Sequence, residues 1–349
     1  MIATSLPPLD HLVALSDEVG VIQHALENVP NRSTGYCTDD VARALMVVLA
    51  RMRIVPRDAR AERLATAYLA FLADAQLPDG RFHNFMSYER HWLDDVGTRD
   101  SNGRALWALG YAMRYAPDRR RRVAKALFEK ALRALEWLEY PLSEAYAMLG
   151  LAHAHSAAPS PAYAAGLRLL GARSLERLAA SSDASWTWFD DAMTYDVARQ
   201  PEGLIRAGMV LQHRPFLDAG ALALDFYEKI VLENEIFVPI GNAGWYVRGG
   251  QRARYDQQPL EAAAMVDAEL AALDATGNLA YLRAAQAAIA WFEGRNSEGI
   301  VMAHDGGCYD GLGSGAANRN MGAESTLAML SAAYAFALRR HATRVAAVP

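Results

Sequence analysis

Clusters of polar residues give way to almost uninterrupted apolar helices at six places along the chain. In each following segment, apolar residues and glycine occupy nearly every position of the helical cycle, which is the pattern of a helix buried by neighbours on all sides. The six segments are TDDVARALMVVLA, DSNGRALWALGYA, SEAYAMLGLAHA, PEGLIRAGMVLQ, LEAAAMVDAELA and AESTLAMLSAAYA. Their key polar residues are Asp40, Asn102, Glu144, Glu202, Glu261 and Glu324, and four of the five intervals are close to about 60 residues. This recurrence predicts an internal repeat with one buried helix in each unit.

A second kind of helix is predicted between the buried ones. These segments carry one apolar stripe and charged residues elsewhere, as a helix with one exposed face does. They cover residues 9–27, 60–76, 121–138, 161–179, 216–233 and 279–293. Six outer helices alternating with six inner helices predict an all-α (α/α)6 toroid, with residues 1–349 forming a single domain. The alternative is an open helical solenoid, which the count of six and the absence of evident polar capping helices disfavour.

The polar clusters are predicted to converge, because the inner helices of a closed toroid all begin at the same end. The resulting rim is rich in Asp, Trp, Tyr, Asn, Gln and Arg and contains little Lys. Carboxylates, amides and guanidinium groups hydrogen-bond sugar hydroxyls, and the C–H faces of sugar rings stack on Trp and Tyr. Any one acid at a helix start can instead be an N-cap, but the adjacent acids of TDD, LDD and FDD leave one carboxylate free to face the centre. The rim composition therefore favours a carbohydrate site.

Glycosidic cleavage requires two carboxyl groups that flank the bond, one of them protonated, and crowding of acids raises the pKa of one member. Our candidates for these catalytic carboxyls come from different rim segments: Asp196 and Asp256 first, then Asp40 and Asp100. The candidate substrate-binding residues are Trp188, Arg199, Glu202, Trp245, Tyr255, Gln257, Gln258, Glu261, His304 and Glu324. Among them the aromatic residues would form sugar platforms, and the amides, acids and arginine would hold hydroxyls and orient the catalytic acids.

Composition argues against several other classes of protein. The formal net charge is -5 at pH 7 and neither sign dominates, so the basic surface of a nucleic-acid-binding protein is missing. Arg, Asp or Glu interrupts every apolar run, which argues against a membrane span, and the first residues lack the pattern of a secretory signal. Two cysteines and scattered histidines form no metal-binding motif. We expect a cytoplasmic protein that needs neither a metal nor a cofactor.

Five strings of the rim are similar to those of a known family: GYCTDDVARAL, LDDVGTRDSNGRALWALG, FDDAMTYDVARQPEGLI, GGQRARYDQQPLEA and NRNMGAESTLAML. Through them the chain, from about Ser33 to Leu338, resembles the six-hairpin glycosidase superfamily. More narrowly, it resembles a bacterial module found attached to retaining glycosyltransferases. The resemblance implies a toroid with an acidic funnel, a sugar substrate and a glycosyltransferase as a partner. Epimerases of this superfamily use a pair of funnel histidines, whereas His304 is the only clear candidate here.

These observations predict a carbohydrate-active enzyme, and specifically a glycoside hydrolase acting on an oligosaccharide or polysaccharide. A sugar epimerase or isomerase of the same fold is one alternative, and it would depend on His304. A non-catalytic glycan-binding module is the other alternative, and it would need the aromatic residues but no protonated acid.

Overall fold

The chain folds into an alternation of long helices joined by irregular segments. The computed structural model describes residues 6–346. The α-helices within these residues are α1 (Asp10–Ala14), α2 (Thr38–Ile54), α3 (Ala59–Ala75), α4 (Arg99–Tyr115), α5 (Asp118–Ala131), α6 (Pro141–Ala157), α7 (Pro161–Ser181), α8 (Arg199–Leu211), α9 (Arg214–Val231), α10 (Pro259–Thr276), α11 (Leu279–Ala290) and α12 (Ala323–Ala346). The even-numbered helices begin at the polar clusters, and the odd-numbered helices lie between them, as the sequence predicts.

The even-numbered helices form a closed inner ring. Each contacts the next along the chain from α2 to α12, and α12 contacts α2. An inner helix therefore has neighbours on both sides and needs apolar residues on most of its surface. In α10, every residue from Pro259 to Val266 is buried. The closure excludes the open solenoid and confirms the all-α (α/α)6 toroid.

Two glycines bring α4 and α6 into close contact. A Cβ atom on Gly110 would lie 2.1 Å from the carbonyl oxygen of Gly150, and a Cβ on Gly150 would lie 2.5 Å from the carbonyl oxygen of Leu106. Only glycine fits at these positions, because any side chain would collide with backbone atoms. Closer to the rim, this proximity lets the guanidinium of Arg104 lie over the ring of Tyr146, 4.1 Å from its centroid.

Five long outer helices pack behind the ring, but the sixth outer position differs from the prediction. The apolar pattern predicts a helix over residues 9–27, whereas α1 ends at Ala14 and packs against α12. Asp17 explains the early end. Its Oδ1 accepts hydrogen bonds from the backbone N–H groups of Val19 at 2.8 Å and Gly20 at 3.1 Å. This local turn competes with helical hydrogen bonding, so the following residues run as an irregular segment towards the first rim.

Short antiparallel strand pairs fasten the rim segments to one another. The strands are β1 (Ala25–Leu26), β2 (Val29–Pro30), β3 (Tyr36–Cys37), β4 (Phe85–Met86), β5 (Ala192–Met193), β6 (Leu232–Glu233), β7 (Ile236–Phe237), β8 (Tyr246–Val247), β9 (Ala303–His304) and β10 (Gly307–Cys308). They pair as β1–β2, β3–β4, β5–β8, β6–β7 and β9–β10. Because β3–β4 and β5–β8 each join segments from different hairpins, backbone hydrogen bonds hold neighbouring parts of the rim in register.

Candidate functional site

Arginines from the inner helices meet the rim acids just inside the ring. The Nε of Arg104, on α4, lies 2.6 Å from Oδ1 of Asp39, and its Nη2 lies 2.7 Å from Oδ2 of Asp196. Arg43, on α2, pairs with Asp39 at 3.2 Å and with Glu324 at 2.6 Å. Arg104 and Asp196 are only 2% and 1% exposed. Their charges are therefore compensated by one another instead of by water, as buried ionic groups require.

Asp196 is held from several sides in an ionised state. It adopts a left-handed backbone conformation, with φ of 50°, three residues before the start of α8. The hydroxyl of Tyr146 donates to its Oδ2 at 2.6 Å, and Nε of Arg199 lies 3.3 Å from its Oδ1. Burial alone would raise the pKa of Asp196, but Arg104, Arg199 and the Tyr146 hydrogen bond together lower it below the usual value. At neutral pH, Asp196 is thus a carboxylate and not a proton donor.

Glu261 has the opposite property although it touches Asp196. Its Oε1 accepts a hydrogen bond from the backbone N–H of Asp196 at 2.5 Å, while its Oε2 is buried without a hydrogen-bond partner. Burial, and after it the charge of Asp196, raises the pKa of Glu261 to about 8. At neutral pH the pair therefore consists of a carboxylate, Asp196, beside a protonated carboxyl group, Glu261. Different surroundings have given two neighbouring acids different protonation states.

Asp40 is a further acid whose pKa is raised towards neutrality. It is buried at the start of α2, with its Oδ1 3.2 Å from Arg43, and its Oδ2 accepts a hydrogen bond from Sγ of Cys37 at 3.2 Å. Burial raises the pKa of Asp40 to about 7, and although Arg43 opposes this shift, the charges of Asp39 and Glu324 reinforce it. Asp40 consequently changes charge within the physiological pH range.

Arg199 joins two more acids to this network. Its Nη1 donates to Oε2 of Glu202 at 2.8 Å and to Oδ2 of Asp267 at 2.7 Å, and its guanidinium lies over the ring of Trp107. Burial raises the pKa of Glu202, against the opposing charge of Arg199. Arg199 and Glu202, both predicted to bind substrate, are therefore also ionic partners of each other.

Asp100 lies in a separate arrangement of hydroxyl groups. Its two carboxylate oxygens accept hydrogen bonds from the hydroxyls of Ser143 and Tyr195. These partners come from the third and fourth rim segments, so Asp100 links three hairpins and is held in one orientation.

Asp310 lies in a group of partly exposed carboxyls where the last rim segment meets its neighbours. Its Oδ2 accepts hydrogen bonds from Nδ2 of Asn318 at 3.2 Å and of Asn320 at 3.3 Å. Burial, followed by the charge of Glu324 and, more weakly, that of Asp256, raises the pKa of Asp310. Unlike Glu261, Asp310 is only half-buried, so solvent and ligands can reach it.

Asp256 faces the same loop as Asp310. It is half-buried with a left-handed φ of 59°, and its Oδ1 accepts a hydrogen bond from Nε2 of Gln258 at 2.8 Å. The loop passes so close that a Cβ atom on Gly311 would lie 2.7 Å from this oxygen. The backbones of Gln257 and Leu312 also hydrogen-bond each other in both directions. Asp256 is therefore fixed against the segment that carries Asp310.

Trp188 is not a sugar platform, and this corrects the sequence prediction. It is completely buried, and its ring packs against those of Phe189 and Tyr227. Burial of an indole stabilises a fold strongly. Here the indole packs against the outer helix α9, which carries Tyr227, and is not available to a ligand. By contrast, Trp245 and Tyr255 are 42% and 40% exposed, so their role as stacking platforms stays a prediction.

Gln257 and His304 also differ from the substrate-binding role predicted for them. The Oε1 of Gln257 accepts a hydrogen bond from the indole of Trp291, and its Nε2 donates to Ser297, so the buried amide is already used by the protein. The Nε2 of His304 lies 2.9 Å from the carbonyl oxygen of Val301, and its ring packs beside Tyr309. Both side chains stabilise rim loops.

A cavity of about 720 Å³ lies inside the ring. Its upper part, the rim layer, is lined by Arg43, Arg104, Asp196, Arg199, Glu202 and Glu324. Its lower part, the lower mouth, is lined by Arg53, Tyr111, Arg114, Tyr115, His153, Arg206, Asp274 and Arg339. Arg43 and Arg53 both lie on α2, ten residues apart, which corresponds to about 15 Å along a helix. The cavity therefore extends towards both ends of the inner helices.

Several residues of this site were not predicted from the sequence, chiefly Arg43, Arg104, Tyr146 and Asp310. The arginines left a signal that could have been used. Each interrupts an otherwise apolar inner helix, and a charge at such a position requires a buried partner. Asp310 left a weaker signal, because it lies in a glycine-rich loop where an acid is usually exposed.

Within residues 6–346, no cluster of His, Cys, Asp or Glu has an arrangement that could hold a metal ion, and both cysteines are free thiols. None of the helices in this range is long and apolar enough to cross a membrane.

Solved structures with this fold include sugar epimerases and glycoside hydrolases. The cellobiose 2-epimerase from Bacillus thermoamylovorans is similar with a TM-score of 0.74 and 12% identity, covering 96% of each chain. A sugar epimerase from a ruminal bacterium gives a TM-score of 0.72 at 13% identity, over 95% of this chain and 97% of that one. The GH76 α-mannanase from Bacteroides thetaiotaomicron gives 0.67 at 11% identity, over 96% and 95%.

No protein-family model matches the chain, and no curated protein has a similar sequence. At these low identities the structural similarity concerns the fold. It shows that the chain shares the (α/α)6 toroid fold of these proteins.

Proposed function

We propose that the protein is a carbohydrate-active enzyme that cleaves a glycosidic bond of an oligosaccharide or polysaccharide at the rim. The observation that carries this proposal is the partly exposed carboxyl of Asp310, whose pKa is raised by burial and by the neighbouring charges of Glu324 and Asp256. A carboxyl group with a raised pKa beside a second carboxyl group offers the two carboxyl roles that glycoside hydrolysis requires. The shared fold supports a sugar as the substrate.

Asp310 is the proton donor in this proposal, and it protonates the glycosidic oxygen of the leaving group. Asp256 is the second carboxylate, because its Oδ1 is oriented by Gln258 and its side chain is half-exposed. Glu324 is less suited to that role because its Oε2 is paired with Arg43 at 2.6 Å. Its charge instead helps Asp310 to retain its proton.

The test is a screen of the purified protein against a panel of oligosaccharides, with reducing ends measured chemically and product anomers followed by NMR. The Asp310→Asn and Asp256→Asn variants are run beside the wild type, and Asp305→Asn, an exposed acid on the neighbouring β9–β10 turn, is the matched control. We expect each site variant to lower kcat by about 10² to 10⁴, as loss of a general acid or base does, and the control to retain activity. Full activity in Asp310→Asn would refute the assignment of the proton donor.

A sugar epimerase or isomerase is the second candidate, favoured by the similarity to two epimerases over nearly the whole of each chain. The contacts of His304 argue against a mechanism in which it moves a proton at a sugar carbon, since the side chain is bound to its own loop. The same screen separates the two candidates. A free sugar whose configuration changes without bond cleavage would replace the hydrolase by the epimerase. Saturable binding without turnover would instead indicate a glycan-binding module.

A further inference from the structure

The lower mouth has chemistry that the proposed reaction does not use. Arg53, near the end of α2, and Arg114, near the end of α4, line the cavity and are exposed to solvent. The cavity is therefore open to solvent at this end. Ten residues separate Arg53 from Arg43 and Arg114 from Arg104, so the mouth lies about 15 Å below the arginines of the rim layer.

The two exposed arginines share one aromatic ring. The guanidinium of Arg53 lies 3.8 Å from the centroid of Tyr115, and that of Arg114 lies 5.1 Å from the same centroid. Within the described residues neither guanidinium pairs with a carboxylate. The ring of Tyr115 restricts the movement of both guanidinium groups. Less conformational entropy is therefore lost when they bind an anion.

The lower mouth as a whole carries a net positive charge. Arg206 and Arg339 also line it, and both contact Asp274, at 3.4 Å and 2.5 Å. Arg206 also lies 3.7 Å from Oε1 of Glu202 in the rim layer. Among the described residues assigned to the lower mouth, Asp274 is the only carboxylate, so the charges of Arg53 and Arg114 are left in excess. An anion bound beside Arg53 and Arg114 would balance this excess.

In the part of the chain that the structure describes, no hydrogen bond from Arg53 to a helix carbonyl accounts for its position. Arginine can stabilise the carboxyl terminus of a helix by donating to its last carbonyl groups. Arg121 does so, because its Nη2 donates to the carbonyl oxygen of Ala116 at the end of α4. Arg53 donates instead to the hydroxyl of Tyr111 at 3.1 Å. Its Nη1 is thus used by another side chain that lines the cavity and not by a carbonyl group of the helix end.

His153 supplies a second, independent observation at the lower mouth. It lines the mouth from α6, and its Nδ1 is buried without a hydrogen-bond partner. Burial lowers its pKa well below the usual value, and the charges of Arg114, Arg206 and Arg53 lower it further. The three guanidinium groups therefore lie close enough to act on one imidazole, and a neutral histidine in their midst can donate an N–H to an anion.

We propose that the lower mouth binds the phosphate group of a small organic phosphate. The forks of Arg53 and Arg114 match the oxygens of a phosphate, which arginine binds in a bidentate manner, and His153 supplies a further donor. A dianion suits an excess of positive charge better than a single carboxylate does. The organic part extends up the axis, where Met46, Leu270 and Leu338 line the wall. This site is distinct from the rim acids and does not depend on the reaction proposed for them.

Isothermal titration calorimetry at low ionic strength tests the proposal with defined probes. Inorganic phosphate, glucose 6-phosphate, glucose and glucuronate are titrated into the full-length wild type and into Arg53→Gln and Arg114→Gln. Arg122→Gln, which removes an exposed arginine from the outer helix α5, is the matched control. We expect both phosphates to bind, glucose 6-phosphate more tightly, while glucose and glucuronate bind at least tenfold more weakly. Each mouth variant should weaken phosphate binding at least tenfold, and the control should not.

Several results would overturn the proposal. Failure of both phosphate probes to bind at millimolar concentration excludes the site. Equal affinity of glucuronate and glucose 6-phosphate excludes the preference for phosphate, and equal affinity of the two phosphates excludes contacts to an organic part. Unchanged binding in Arg114→Gln moves the site elsewhere, provided that circular dichroism shows the variant to be folded. Asp310→Asn should keep the wild-type affinity, so failure of the rim proposal can be distinguished from failure of this one.

Discussion

The rim layer and the lower mouth carry arginines at corresponding positions of the same helices, yet they use them differently. On α4, Arg104 contacts two carboxylates and is almost completely buried, whereas Arg114, ten residues further on, is exposed and rests on Tyr115. The pairing follows from burial, because a charge removed from water must be compensated inside the protein. An exposed arginine is hydrated and keeps its charge available. The comparison therefore separates arginines that hold the fold together from arginines that can bind a ligand.

The largest expected effect is the cost of removing a buried arginine. Replacement of Arg104 by Gln leaves the carboxylates of Asp39 and Asp196 without their main partner, and we expect the free energy of unfolding to fall by about 3 to 5 kcal/mol. Urea denaturation followed by circular dichroism measures the loss. Arg114→Gln is the matched substitution in the lower mouth and should change the stability by no more than about 0.5 kcal/mol. Similar losses in the two variants would contradict the distinction between the two ends.

The second prediction concerns the pH dependence that burial of Glu261 imposes on the rim layer. Since the folded-state pKa is raised to about 8 from 4.5, the unfolded chain releases this proton first as the pH rises. Glu261 should therefore lower the stability progressively as the pH rises from about 4.5 to about 8, by an amount on the order of 5 kcal/mol in total. Glu261→Gln cannot lose this proton and should show a flatter profile over that range. Urea titrations at successive pH values test this, and parallel profiles for the two proteins would argue against a protonated Glu261.

A smaller effect is expected from a single hydroxyl of the rim layer. Tyr146→Phe removes the hydrogen bond donated to Asp196 and the one accepted from Arg104, but it keeps the ring that packs under Arg104. We expect a loss of about 1 to 2 kcal/mol, the range for a hydrogen bond to a charged group. Tyr115→Phe in the lower mouth keeps the ring beneath Arg53 and Arg114 and serves as the control. If both substitutions cost the same, the Tyr146 hydroxyl has no special role at Asp196.

The smallest effect is expected for Arg53→Gln. This side chain is exposed, and its removal loses only the hydrogen bond to the hydroxyl of Tyr111 and the contact with the ring of Tyr115. Its removal also relieves repulsion from Arg114. We expect a change within about 0.5 kcal/mol in urea denaturation. A loss above about 1.5 kcal/mol would show that Arg53 is part of the structural framework.

The sequence predicted the inner ring closely because one physical requirement dominates it. A helix buried on all sides must be apolar all round, and the polar cluster at its start must lie at a common end. The start of the chain was predicted less well. The apolar residues between 9 and 27 suit a helix, but the side chain of Asp17 offers the backbone a competing turn. The pattern of hydrophobic residues gives no information about such a local hydrogen bond.

The site was predicted in part, and the errors share a cause. Sequence reasoning placed Asp196, Asp256, Glu261 and Glu324 on one rim, and the structure puts them there. It could not tell which side of a rim loop faces the centre, so the buried Trp188 was assigned to stack on sugars. It also assigned roles by residue type, whereas the pKa separation of Asp196 and Glu261 arises from the two arginines and the burial that surround them.

Contact between the first and last inner helices determines when the rim layer can form during synthesis. Arg43 pairs with Glu324, which follows it by 281 residues. At a translation rate of 5 to 20 residues per second, the partner of Arg43 is made roughly 15 to 55 s after Arg43 itself. During that interval α2 has an uncovered flank where α12 belongs. The nascent chain therefore needs either shielding of that flank by a chaperone or a partial fold in which α2 stays apart from the ring until α12 arrives.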